Sequence, residues 1–125
     1  GDKKTIYLLP MKECVNGFTP AGLEQFIDGL FIERGENRFD PRSRRDVQLK
    51  TRLWASAVEV DIDSAGRVAL GKLDGTKPGT RERLGLTADV TVVGAGDHFE
   101  VWNTEQWNAT QESFEDELDA LLYHD

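Results

Sequence analysis

The strongest constraint in this chain is an alternating run that stops abruptly. Between Val58 and Asp63, Val58, Val60 and Ile62 point one way and Glu59, Asp61 and Asp63 the other. A period of two is a β-strand with one face in a core and one in water. Ser64, Ala65 and Gly66 break the run, and Arg67 leads back into Val68 and Leu70, where the alternation resumes. Small residues permit a tight connection, and Gly66 can take a positive φ at no steric cost. Asp63 can accept hydrogen bonds from the backbone N–H groups of the turn. Arg67 leaves the turn with a fixed charge and five donors. Such an arginine can brace itself on a carboxylate, or it can be offered to a phosphate or a guanine edge. The spacing alone leaves both roles open, with Asp63 and Gly66 as shapers of the turn.

Other elements follow from pattern and punctuation. Thr5–Leu9 reads as a strand ended by Pro10. Thr19 followed by Pro20 is a helix start, and Leu23, Phe26, Ile27, Leu30 and Phe31 form one apolar helical face. Asp40–Pro41 repeats the cap-then-proline signal and opens a second helix toward Trp54, with Val47 and Trp54 as its sparse apolar positions. Residues 71–79 read as a loop and 80–86 as a short helix ending at Gly85. Asp89–Val93 and His98–Trp102 are strands joined through residues 94–97. Asn103 caps a last helix with Gln106 three residues on, and Trp107, Phe114, Leu118 and Leu121 give it an apolar stripe.

Charge is distributed unevenly. The formal net charge is −8, yet residues 97–125 hold nine acidic side chains and no Lys or Arg, which leaves the rest of the chain at +1. Pro41–Trp54 carries Arg42, Arg44, Arg45, Lys50 and Arg52 against Asp46 alone. Ser64–Arg83 carries Arg67, Lys72, Lys77, Arg81 and Arg83 against Asp74 and Glu82. The acidic total therefore does not exclude an anionic partner for the body. No apolar run reaches the length of a membrane span, and no signal-peptide pattern stands at the front. The chain opens at Gly1 without a methionine, which reads as a boundary rather than a native start. Cys14 is a lone cysteine, so no internal disulfide is possible, no cysteine–histidine zinc spacing occurs, and a cytoplasmic setting is the default.

An internal echo links the two ends. Ile6, Leu8 and Leu9 fall on Phe99, Val101 and Trp102 at an offset of 93, each strand running through a polar break toward an amphipathic helix. Two units follow, the second complete and the first without its front. The ordered motifs of the second unit carry a resemblance. Asp63, Gly66 and Arg67 form D-x-x-G-R. Leu84, Gly85 and Leu86 follow, and then Gly94, Phe99, Glu100, Val101 and Trp102. In this order they resemble the second repeat of the MraZ family, bacterial regulators with the swapped-hairpin fold of the AbrB group. Residues 5–10 and the two helices after them are similar to the end of that family's first repeat and its linker.

The resemblance implies an α+β fold of AbrB-like swapped-hairpin β-barrel units with flanking helices, two pseudo-repeats of which the first is incomplete. The expected division is a remnant of the first repeat at 1–40, a linker helix at 41–56, and a complete second repeat at 57–125 with an acidic C-terminal helix. It also implies a ring-shaped homo-oligomer that binds direct repeats in a promoter upstream of cell-division and cell-wall genes, in the cytoplasm and associated with the nucleoid. Three departures stand out. The first repeat's own D-x-x-G-R is absent, residues 71–79 replace an isoleucine–proline run, and the last helix is strongly acidic.

On this reading Arg67 is the foremost DNA-binding residue, with Lys72 and Lys77 as phosphate contacts. Arg42, Arg44 and Arg45 form a second basic patch, for which a helix face between copies is the competing role. Trp54, Trp102 and Trp107 are core or interface aromatics, and His98 is a strand histidine. No cofactor, metal or catalytic residue is expected. Two other readings compete: a ring-forming module that binds a protein partner, and a hydrolase using Asp61 and Asp63, for which no base or metal ligand stands nearby in sequence.

Overall fold

The structure is a computed structural model and describes residues 4–123. Five strands, β1 (Lys4–Pro10), β2 (Val15–Phe18), β3 (Val58–Ile62), β4 (Val90–Gly94) and β5 (Phe99–Asn103), form one antiparallel sheet in the order β3-β1-β2-β5-β4. Around it lie α1 (Pro20–Ile32), α2 (Arg44–Ser56), α3 (Lys72–Thr76), α4 (Thr80–Arg83) and α5 (Thr104–Leu122). The architecture is α+β, and among the described residues no helix is long and apolar enough to cross a membrane.

The continuous apolar run of β1 has a simple cause. Ile6 and Leu8 enter one core with Val15, Val58, Val60, Leu73, Leu84, Leu86 and Val101. Leu9, with Tyr7 packed beside it, enters a second core with Phe18, Leu23, Ile27 and Phe31 of α1. Alternate side chains of one strand thus feed both faces, so no polar residue interrupts Ile6–Leu9. Thr19 caps α1, its Oγ1 accepting from Gly22 N at 3.0 Å.

Strand β2 was not anticipated. The stretch reads as part of a polar break, yet Val15–Phe18 is wholly buried and pairs on both sides. Gly17 is required there by contact, because a Cβ at that position would run into the Phe99 ring.

The two hairpins are related more closely than the sequence echo indicates. The pairs Tyr7–Phe18, Leu8–Gly17, Leu9–Asn16 and Pro10–Val15 recur as Thr91–Trp102, Val92–Val101, Val93–Glu100 and Gly94–Phe99, each residue number raised by 84 (7 to 91, 18 to 102). The correspondence therefore lies at 84 and not at 93: β1 matches β4, and β2 matches β5. The helix caps Thr19 and Asn103 obey the same offset. Where β2 meets β5, Asn16 faces Glu100 and the flanking pairs exchange under it, so a local two-fold passes between these residues. β3, from the middle of the chain, adds to the outer edge of β1.

Other expectations change in detail. Helix α2 is capped by Ser43, whose Oγ accepts from Asp46 N at 3.1 Å, not by Asp40. Val47 is exposed, and Leu53 packs beside Trp54 instead. Asp46 is buried and takes the Arg34 guanidinium at 2.9 Å, which holds its carboxyl below the ordinary carboxylate value. Residues 71–79 are not all loop, because α3 places Leu73 in the core and Asp74 accepts both the backbone N and the Nε of Arg81. After Gly66 no strand forms; Val68 makes a single bridge to Ile62. Burial, then the nearby Glu100 and Glu13, push the Cys14 thiol up to about 11, so it stays protonated at neutral pH.

His98 is stacked on Phe18 and held from both sides, by Asp97 at Nδ1 and Glu100 at Nε2. The Asp97 bond raises its pKa above the ordinary 6.5 against the opposing effect of burial, with Glu100 adding to it. A raised histidine pKa stabilises the fold below the unfolded value and withdraws that stabilisation as pH rises through the folded one. Urea midpoints should therefore fall between pH 6.5 and the folded pKa, and His98→Gln should flatten that fall. Gly17→Ala should lower unfolding free energy by about 1–3 kcal/mol, because the Phe99 ring must leave its seat; urea denaturation monitored by circular dichroism measures it.

Candidate nucleic-acid interface

The turn after β3 is a closed three-residue connection. Asp63 N donates to Arg67 O at 3.2 Å and Gly66 N to Asp63 O at 2.9 Å, with Gly66 at φ 79°. Asp63 organises it: Oδ1 accepts from Ala65 N at 2.9 Å and Arg67 N at 2.8 Å, and Oδ2 accepts from Arg67 Nε at 2.9 Å. These bonds, the one from Arg67 N first, hold the Asp63 carboxyl below its ordinary value. It is ionised at neutral pH and fully engaged inside the turn.

Arg67 is braced on a carboxylate and still largely open to solvent. Its Nε is bound to Asp63, while the side chain remains 81% exposed. Among the described residues no other protein group accepts from its guanidinium, so both η nitrogens are open to solvent while Nε is held by Asp63. A guanidinium anchored at Nε and free at its outer edge can make two parallel hydrogen bonds to a phosphate or a guanine edge.

Neighbours sort by distance from this point. Lys72, at the start of α3, lines the same open depression of about 340 Å³ as Asp61, Asp63, Arg67, Val68 and Ala69. Asp61 accepts from Thr5 Oγ1 at 3.1 Å and is exposed. Lys77 is elsewhere, in a groove of about 500 Å³ that also takes in Arg52 and Arg83. Arg52 and Arg83 belong to two separate basic runs of the sequence, and only the fold brings them together with Lys77. Arg42, Arg44 and Arg45 are exposed at the beginning of α2, whereas the turn lies beyond β3, the element that follows α2. Trp54 meets Tyr7 edge-on and Trp102 packs on Trp107, which makes them structural aromatics.

The motif around Gly85 forms a separate brace. Gly85 sits at φ 69° and its carbonyl accepts Asn103 Nδ2 at 3.0 Å, while Asn103 Oδ1 caps α5 by accepting Gln106 N. One asparagine thereby ties the segment after α4 to the start of α5. Asp63 is engaged within its own turn, while Asp61 accepts from Thr5 on β1. Among the described residues no group of three or more His, Cys, Asp and Glu is placed to hold a metal ion.

The family model described as "MraZ protein, putative antitoxin-like" matches residues 53–121. That span begins near the end of α2 and covers the turn, the Gly85 brace, the β4–β5 hairpin and most of α5.

Gly66→Ala should destabilise the chain by about 1–2 kcal/mol, the cost of a left-handed backbone for a residue with a Cβ. No neighbouring atom lies within 4 Å of that Cβ, so the effect reports strain and not a clash. Thermal denaturation beside Ala65→Gly, which leaves Gly66 in place, checks this.

Proposed function

Because the chain belongs to the MraZ family, we propose that it is a sequence-specific DNA-binding transcriptional regulator whose principal contact is Arg67. The observation that carries this reading is the arrangement of that side chain: anchored through Nε to Asp63, yet 81% exposed. Anchoring before contact lowers the entropy lost when the guanidinium docks on DNA. Lys72, beside it in the same depression, supplies a phosphate contact that positions without specifying. Lys77, grouped with Arg52 and Arg83, is a second backbone contact.

A single protomer offers few such contacts, so the reading includes a closed ring of copies. Symmetry then repeats the arginine at fixed intervals, and direct repeats in a promoter upstream of cell-division and cell-wall genes are the matching DNA. The shared register of the β1–β2 and β4–β5 hairpins supports a division into two AbrB-like units, 1–40 and 57–125, joined by the helix within 41–56. A strand of the second unit lying on a strand of the first is what a swapped-hairpin arrangement requires. The setting is cytoplasmic, at the nucleoid, and the role is regulatory, not enzymatic.

Fluorescence anisotropy with a promoter duplex carrying direct repeats tests the reading. Binding should weaken steeply between about 50 and 200 mM salt. Arg67→Ala should cost about 1–3 kcal/mol, the value of one bidentate base contact. Equal binding to a scrambled duplex, unchanged by Arg67→Ala, would overturn it.

A further inference from the structure

Among the described residues the distal half of α5 has no partner. Every residue from Gln111 to Tyr123 is exposed, although the helix runs to Leu122. Phe114, Leu118 and Leu121 recur at i, i+4 and i+7 as one stripe and are 52%, 45% and 80% exposed. A helical segment of this length is marginal in water without an apolar face to pack. Glu115 and Asp119 run beside the stripe and line, with Leu118 and Leu122, a shallow depression of about 360 Å³. The helix carries no Lys or Arg, so two copies of it side by side would set acid against acid. What covers it is apolar at the centre and basic at the rim.

The groove of about 500 Å³ between the end of α2 and α3–α4 has that character. Ala55, Val58 and Leu73 line it, and Arg52, Lys77 and Arg83 are exposed around them. Arg52 and Ala55 are three residues apart, on one face of α2, so charge and apolar surface meet in the same groove. The stems of Arg52 and Lys77 extend the apolar surface beneath their charges. Among the described residues no carboxylate lines this groove, and none of the three cations forms an ion pair. Arg83 donates to the Met11 and Lys12 carbonyls. Other depressions do not match α5. The one beside Gly85 includes Glu13 and Glu82, and the one at the Arg67 turn includes Asp61 and Asp63, so acids would face acids there. The one beside Val90 and Val92 has no charged lining residue to meet the acids of α5.

We propose that the distal half of α5 in one copy docks in the Arg52–Lys77–Arg83 groove of a second copy, its apolar stripe over Ala55 and the stems of the cations, and Glu115 and Asp119 against Arg52 and Lys77. The contact joins two different surfaces, so repeated copies close into a ring or extend as a filament. It rests on the self-association part of the proposed function, which it deepens, and it does not involve Arg67. The cations of the groove cannot hold this helix and a DNA backbone at once. In copies joined this way Lys77 therefore gives up its backbone contact, and DNA is met by Arg67 and Lys72 in their separate depression.

Sedimentation velocity on the full chain tests it with four proteins: wild type, Glu115→Lys with Asp119→Lys, Arg52→Glu with Lys77→Glu, and the fourfold combination. All four changed positions are exposed, and far-UV circular dichroism checks that each variant is folded. Wild type should associate, each reversal should weaken association at least tenfold, and the combination should restore it. Association untouched by either reversal would overturn this interface and leave the ring standing. Loss without rescue would overturn the groove as the seat of α5. A monomeric wild type at every concentration would overturn both this interface and the ring, while Arg67-dependent DNA binding would remain a separate result.

Discussion

Strands β2 and β5 meet at a place where only a glycine fits. The Phe99 ring lies over Gly17, and the two strands pair through Val15–Val101, Asn16–Glu100 and Gly17–Phe99. This contact joins two hairpins that would otherwise be separate two-stranded ribbons, each marginal in water alone. Once joined, they present the outer edge of β1 to β3, and β3 in turn holds the turn that carries Arg67. The turn that carries Arg67 thus stands at the edge of a sheet whose interior is joined by this close approach.

Electrostatics divides the molecule by element. Inside the body, carboxylates are spent on local order: Asp46 on Arg34, Asp63 on its own turn, Asp74 on Arg81. Each ties together residues 4–12 positions apart, so these are fasteners for loops more than sources of global stability. Glu100 takes both His98 and the Trp102 indole N–H, and so binds the tip of one hairpin to its own strand. The acids of α5 have no such internal partners among the described residues, and neither do the outward arginines of α2. That contrast separates charge used for folding from charge left for association.

Much of this was legible from residue order. The alternation of Val58–Asp63 and the glycine three residues past Asp63 placed a strand and a turn, and both are present. Caps at Thr19 and Asn103 were read from short polar side chains ahead of apolar periodicity. The site was legible to the same depth: Arg67 at a surface turn follows from local spacing, because the bonds that shape that turn span four residues. Less was legible where distant segments decide. The stretch after Pro10 reads as a polar break, and pairing with a strand 82 positions away in sequence (17 to 99) helps make it a buried strand. Leu73 lies among turn-forming residues, and only the core above it calls for a short helix.

The sequence by itself determined the local geometry: which stretches alternate, where helices begin, and that one arginine follows a tight glycine turn. These depend on neighbours within a few residues and on the φ, ψ limits each side chain imposes. Only the tertiary structure decided that the hairpins correspond at 84 residues, that β3 lies on β1, that Lys72 shares a surface with Arg67 while Lys77 joins Arg52 and Arg83, and that half of α5 stands uncovered. Strand order and shared surfaces are set by which apolar faces can be buried together, a property of the whole chain that no short window contains.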